Sequence, residues 1–232
     1  SLRLSPTYYR LRDLGCSFGE KFGWERPNWF QPYEEKATHG HEPLGWARHN
    51  WSRAIGYEHL QTRAVAGLFD ETSFNKLEVR GPGALAFLNR VCANNIDQPV
   101  GSVVYTQCLN ERGGIECDFT VNRLAEDRFL IVTGTAFGQH DISWLSLNMP
   151  EDGSVSIEDV GSAYACIALW GPNARTILEK VTTDDVSNNG FPYMTSKRIS
   201  VGDVPVIASR VTYVGELGWE FYCPMEYGLR LW

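Results

Sequence analysis

The chain has 232 residues and a net charge of −7, with 43% hydrophobic and 21% charged residues, the profile of a soluble globular protein with room for one large or two small domains. It carries no block of Lys or Arg, which argues against nucleic acid or an anionic membrane as its main partner. No apolar run reaches membrane-spanning length and no signal peptide is visible. Cys16, Cys92, Cys108, Cys117, Cys166 and Cys223 form no CxxC pair, and they read as reduced, buried thiols of an intracellular protein.

Residues 1–50 are expected to be irregular. The aromatic-rich run FGEKFGWERPNWFQPYEE is punctuated too often by Pro and Gly for a long element, and too aromatic for a free linker, so it should wrap over a neighbouring domain. His39-Gly40-His41 has no third ligand at a motif spacing and reads as loop histidines, so no metal is expected. An amphipathic helix is predicted over 51–66, with Trp51, Ile55 and Leu60 among its apolar positions and Gly67 as its stop. LFDETSF (68–74) reads as a turn, and Asn75–Arg80 as a strand. Gly81-Pro82 opens a helix over about 83–92.

Val103–Leu109 and Ile115–Leu124 are β-rich runs broken by Asn110-Glu111-Arg112-Gly113-Gly114, a strand–turn–strand pattern. In the returning strand Ile115, Cys117, Phe119, Val121 and Arg123 share one face, and Glu116, Asp118, Thr120, Asn122 and Leu124 the other. Asp118 therefore lies mid-strand, against its propensity. An exposed face or an ion pair would account for it as well as a functional role would. A third strand over Arg128–Thr133, a helix over about 136–147 and a loop over 150–153 follow.

The second half repeats the first. LEVRGPGALAFLNRV (77–91) aligns without gaps with IALWGPNARTILEKV (167–181), with Gly81/Gly171, Pro82/Pro172, Ala84/Ala174, Leu88/Leu178 and Val91/Val181 identical. Strands are predicted over 196–201, 204–212 and 219–223, with a helix beginning at 225–232. The order strand–helix–strand–strand–strand–helix, twice over, predicts an α+β fold of duplicated ferredoxin-like units. In TYVGELGWEFYCP (212–224), Glu220 lies between two aromatic residues and close to Tyr213. A carboxylate beside ring faces suits a flat heterocycle with adjacent N–H donors. A strand glutamate facing solvent is the plainer alternative.

Taken together, LFDETSF (68–74), LEVRGPGA (77–84), GSVVYTQCLNERGGIECDFTVNRL (101–124), RFLIVTG (128–134), IALWGPNA (167–174) and TYVGELGWEFYCP (212–224) resemble the folate-binding domain of the glycine-cleavage aminomethyltransferase (T-protein) superfamily. Within it the chain is most similar to the C-terminal folate part of FAD-dependent dimethylglycine and sarcosine dehydrogenases, and FGWERPNWF (22–30) resembles the segment that joins their flavin and folate parts. The regulatory subunit of pyruvate dehydrogenase phosphatase shares that architecture. The resemblance implies residues 1–50 as a joining segment and 51–232 as a folate domain, continued in the natural protein by a C-terminal β-domain.

By the same resemblance Asp118 matches the catalytic aspartate, and Tyr105, Tyr213 and Glu220 match residues that bind tetrahydrofolate. The expected reaction is capture of a one-carbon unit as 5,10-methylenetetrahydrofolate, by a bacterial cytoplasmic or mitochondrial matrix protein working with a fused or associated flavin domain. FAD itself would belong to that absent domain, since no GxGxxG signature occurs in this sequence. A stand-alone aminomethyltransferase and a non-catalytic regulatory module are the alternatives. Two departures from the family pattern stand out: Cys117 precedes Asp118 where the family usually has a second acid, and Asn122 stands where it has a tyrosine.

Overall fold

A computed structural model describes residues 2–34, 52–213 and 215–232. Near the amino end, helix α1 (Tyr8–Asp13) leads into an antiparallel hairpin of β1 (Cys16–Lys21) and β2 (Trp24–Phe30). The expectation of irregular structure therefore fails for residues 8–30. Pro27 is accommodated because the hairpin is a sheet of only two strands, and it sits beside a register shift at Ser17/Phe18. His39 and His41 lie outside the described residues.

Helix α2 (Arg53–Ala64) starts where the Ser52 hydroxyl accepts a hydrogen bond from the Ala54 N–H at 3.1 Å. Ile55 on it is half-buried, Leu60 is exposed, and Trp51 lies outside the described residues. Gly67 does not merely stop this helix. It opens a strand, β3 (Gly67–Asp70), so the first half of the expected turn at 68–74 is extended.

The first repeat comprises β4 (Asn75–Arg80), α3 (Ala84–Val91), β5 (Val103–Leu109), β6 (Ile115–Ala125), β7 (Arg128–Thr133) and α4 (Gly138–Leu147). After a short strand the sequence does not announce, β8 (Ser156–Asp159), the second comprises β9 (Tyr164–Trp170), α5 (Ala174–Leu178), β10 (Thr195–Val201), β11 (Val204–Arg210), β12 (Gly218–Pro224) and α6 (Gly228–Leu231). Two five-stranded antiparallel sheets result, in the orders β5-β6-β7-β4-β8 and β10-β11-β12-β9-β3.

These orders match strand for strand, and the fifth strand of each is borrowed. β3 precedes the first repeat but pairs with β9 of the second; β8 precedes the second but pairs with β4 of the first. The repeated Gly-Pro makes the exchange fit. Gly81 and Gly171 have φ of 121° and 126°, a region that L side chains rarely adopt. A Cβ on Gly81 would lie 2.2 Å from the Ser154 carbonyl oxygen, and one on Gly171 would lie 2.6 Å from the Ala66 Cα. Ser154 and Val65 stand two residues before the borrowed strands, and their carbonyls accept from the N–H of Gly83 (3.0 Å) and Asn173 (2.9 Å).

The layers run helix, sheet, sheet, helix. Phe87, Leu88 and Leu145 pack on Val79, Phe119, Val121 and Phe129 of one sheet, and Ala174 and Leu178 on Leu169, Trp219 and Phe221 of the other. Burial alternates along β6 as the sequence pattern requires, with Cys117, Phe119 and Val121 buried toward the helices. Between the sheets lies a smaller apolar layer of Leu130, Val132, Cys166, Ile207 and Tyr222. All six cysteines are free, and five are buried. Among the described residues no helix is long and apolar enough to cross a membrane.

Candidate functional site

Register places the candidate residues on the two sheet faces that confront each other. Gln107 pairs with Asp118 and Tyr105 with Thr120, so Tyr105, Gln107 and Asp118 stand on the same face of the first sheet as Asn122. Glu220 pairs with Ser209 on one side and Ala168 on the other. Ser209 donates to the Asn122 side-chain oxygen at 2.7 Å, which fixes Glu220 and Asp118 on inward faces. Asp118 lies four residues along β6 from Asn122, ~13 Å at the rise of an extended strand.

Asp118 is exposed, with Tyr105 and Gln107 beside it on the neighbouring strand. The neighbouring Asp118 carboxylate, with a smaller cost of desolvation, holds the Tyr105 phenol above its ordinary pKa. Gln107 Nε2 lies 3.4 Å from Asp118 Oδ1, a long contact. Tyr213 follows β11, is 91% exposed, and is near enough for its charge to bear on Tyr105. Asp118, Tyr105 and Tyr213 thus form one neighbourhood at the open end of the inter-sheet layer.

Glu220 forms a second, drier one. Burial pushes its carboxyl pKa up, and the Tyr222 hydroxyl donates to it and partly offsets that rise. On the same face Phe69, Ala168 and Glu220 form one row across β3, β9 and β12. Ala168 is small, so the gap between the outer two strands is floored by a methyl group. Trp170, one step along β9, lies between Gly67 and Gly218, with its ring 5.2 Å from that of Phe69. Glu71 is pushed well up by burial and then by the charge of Glu220, with Arg26 pulling it back and Asp70 and Glu216 adding to the rise. In this group Glu71 Oε2, Glu216 Oε2 and Arg26 Nε are buried without a hydrogen-bond partner. Unsatisfied buried acceptors cost free energy unless a ligand supplies donors. The two orphan carboxylate oxygens fit a ligand that supplies N–H donors, and the orphan Arg26 N–H fits an acceptor on it.

Glu71, Trp170 and Tyr222 were not singled out from the sequence. Tyr222 is two residues along β12 from Glu220 and Trp170 lies on the paired strand β9, whereas the nearness of Glu71 depends on β3 crossing into the second sheet, which no local pattern reveals. The four sequence candidates fall into two groups, and no direct contact joins Asp118 to Glu220. A separate cavity of about 440 Å³ lies on the helix side of the second sheet, lined by apolar residues such as Leu68, Ile167, Leu169 and Phe221. These alternate with the inward-facing positions, so that cavity opens on the opposite face from Glu220.

A twofold-repeated, strand-exchanged pair of α+β units, with a small apolar layer and inward-facing polar side chains between its sheets, defines the class. The chain belongs to the family of the GCVT N-terminal domain, whose model matches residues 7–232. It is 33% identical to the mitochondrial dimethylglycine dehydrogenase of Rattus norvegicus over 92% of its own length and 25% of that protein's. It is also 33% identical to the aminomethyltransferase of Geobacillus thermodenitrificans, over 99% of this chain and 55% of that one. The crystal structure of the glycine cleavage system aminomethyltransferase T from Bartonella henselae superposes with a TM-score of 0.79 at 27% identity, covering 100% of this chain and 56% of the other. The chain thus spans about a quarter of the dehydrogenase and about half of the transferase.

Proposed function

We propose that this chain is the tetrahydrofolate-binding part of an N-methyl amine dehydrogenase of the dimethylglycine or sarcosine type. In this reading residues 1–50 join it to a flavin domain, and 51–232 capture the one-carbon unit that domain releases as 5,10-methylenetetrahydrofolate. The observation that carries the reading is the pair of carboxyl environments on the inward faces: Asp118 exposed beside Tyr105, Glu220 half-buried and close to unpartnered acceptors.

Bound tetrahydrofolate would supply the nucleophilic amine. Asp118, exposed on the inward face, accepts a proton from that amine and stabilises positive charge beside it. Tyr105 stands beside that carboxylate on the same inward face. Glu220, with Tyr213, meets the N–H edge and the face of the ring system, and desolvation strengthens each of those hydrogen bonds. The fold would work in a bacterial cytoplasm or a mitochondrial matrix.

A stand-alone aminomethyltransferase is the second reading. The match to the Geobacillus thermodenitrificans enzyme runs over 99% of the chain, so the amino-terminal segment does not separate the two. Both share the folate chemistry, which one experiment tests. Tetrahydrofolate is titrated into the wild-type chain and into Asp118→Ala, and formation of methylenetetrahydrofolate from formaldehyde is followed above the uncatalysed rate. Asp118→Ala is expected to fold and to lower that rate about 100-fold, the scale of a lost acid–base group. An unchanged rate removes Asp118 from the chemistry, and a wild-type chain that does not bind tetrahydrofolate overturns the reading.

A further inference from the structure

A second constellation lies on the other face of β6, between the first sheet and α4. Cys117 Sγ, a ring nitrogen of His140 and a carboxylate oxygen of Asp141 lie within 4.8 Å of one another. His140 Nδ1 is 3.1 Å from Asp141 Oδ1. That spacing equals the separation of two ligand atoms about 2.0–2.1 Å from a shared ion at an angle near 100°. Cys117 and Asp141 are buried, whereas the His140 side chain is 52% exposed and opens the cluster to solvent.

What distinguishes this group from an ordinary hydrogen-bonded cluster is how its remaining atoms are used. Asp141 Oδ2 accepts from the Thr133 hydroxyl at 2.7 Å, leaving Oδ1 directed at His140. His140 Nε2 faces Glu116 Oε2 at 3.7 Å, leaving Nδ1 directed at Asp141. The Cys117 sulfur is backed by the Cys108 thiol, its neighbour in register. Asp141 therefore has an outer hydrogen-bond partner that orients it, Cys117 a thiol neighbour in register, and His140 a carboxylate at ion-pair distance, the kind of surroundings that position metal ligands. The ligands also come from a strand and a helix rather than from loops, which keeps their geometry fixed.

We propose that Cys117, His140 and Asp141 form a site for a divalent transition metal of the zinc class, with Sγ, Nδ1 and Oδ1 as ligands and water in the fourth position. A mixed sulfur, nitrogen and oxygen set selects zinc-like ions over magnesium or calcium, which require oxygen ligands. On binding, the Cys117 thiol releases its proton to solvent and the thiolate bonds to the ion. His140 and Asp141 stand in the first turn of α4, whose positive end opposes a bare cation. The thiolate and the carboxylate together carry two negative charges, which outweighs that partial charge. The site is separate from Asp118, whose side chain points to the opposite face of the strand.

The test is a titration of the chelator-treated full chain with Co²⁺, followed by competition with Zn²⁺. One equivalent of Co²⁺ should produce a sulfur-to-cobalt charge-transfer band and tetrahedral d–d bands, and Zn²⁺ should abolish both. Cys117→Ser should lose the charge-transfer band, and His140→Ala should weaken binding by about tenfold or more. His140 is half-exposed, so its variant decides the matter if Cys117→Ser does not fold. Absence of the band in wild type, unchanged Co²⁺ affinity in His140→Ala, or loss of binding in a His39→Ala, His41→Ala double variant instead overturns the proposal.

Discussion

The Ser209 hydroxyl donates to the Asn122 side-chain oxygen at 2.7 Å, and the Asn122 amide donates to the Leu130 carbonyl at 3.2 Å. Asn122 and Ser209 are both about 1% exposed, and they belong to different repeats. This bond crosses the apolar layer between the sheets and sets which strand positions confront each other. The Asn122 side chain spends its polarity on joining the two halves.

Asn122→Ala should therefore destabilise the fold by about 1–3 kcal/mol, because it strands the Ser209 hydroxyl in a buried layer. Urea unfolding checks this. A loss below about 0.5 kcal/mol, the level of an ordinary surface substitution, would mean that the sheets are joined by apolar packing alone.

The exchanged edge strands make a second demand. Gly81→Ala and Gly171→Ala each combine an unfavourable φ with a Cβ driven into backbone atoms, and each should cost about 3 kcal/mol or more. Gly113 provides the control. Its φ is 77°, but nothing lies within 4 Å of its would-be Cβ, so Gly113→Ala should cost only about 1 kcal/mol. Equal losses at all three glycines would show that backbone conformation, not the close approach of the borrowed strands, sets the cost.

Glu220 offers a trade between stability and binding. Its folded pKa is raised by burial, so the unfolded chain ionises first as pH rises. Below the unfolded value both states are protonated and no penalty exists. The penalty grows as pH climbs from the unfolded toward the folded pKa, and it is constant above that. Glu220→Gln keeps an acceptor for the Tyr222 hydroxyl and never ionises. It should be more stable than wild type at neutral pH and equal to it in acid, while binding tetrahydrofolate about tenfold more weakly. Thermal unfolding at two pH values and a binding titration read both effects; unaltered affinity would remove Glu220 from the folate site.

Much of this architecture was legible in local pattern. Asn75–Arg80, Val103–Leu109 and Arg128–Thr133 are strands where alternation and β-rich composition put them, and the matched Gly-Pro sites announce the duplication. β3 and β8 were not legible for one shared reason. Each is four residues long, pairs on one side only, and takes its register from the other repeat, so neither carries the alternation of a central strand. The amino-terminal hairpin hid behind its Gly and Pro because short paired strands tolerate both. Within the site Asp118 was visible as an aspartate out of place in a strand. Glu71 was not, since its relation to Glu220 exists only after β3 has crossed over.

Lys76 gives a prediction that depends on the same inter-sheet layer. It pairs with Val132 across β4 and β7, is fully buried, and donates to the Thr72 carbonyl at 2.8 Å. Burial lowers its pKa from 10.5 to about 8, against the smaller upward pull of Cys166, Asp70 and Asp159. Below pH 8 the ammonium is charged in both states, and its desolvation weighs against folding. Between pH 8 and 10.5 the folded protein releases the proton while the unfolded chain retains it, so this group's contribution to stability rises with pH. The gain is about 3 kcal/mol at most over that interval. Other groups titrate in the same range, and Lys76→Met isolates this one. The stability of wild type relative to Lys76→Met should climb from pH 8 to pH 10.5 in denaturant melts. A flat difference across that range would mean that the lysine keeps its charge inside the protein, with the attraction of the Asp70 and Asp159 charges winning over desolvation.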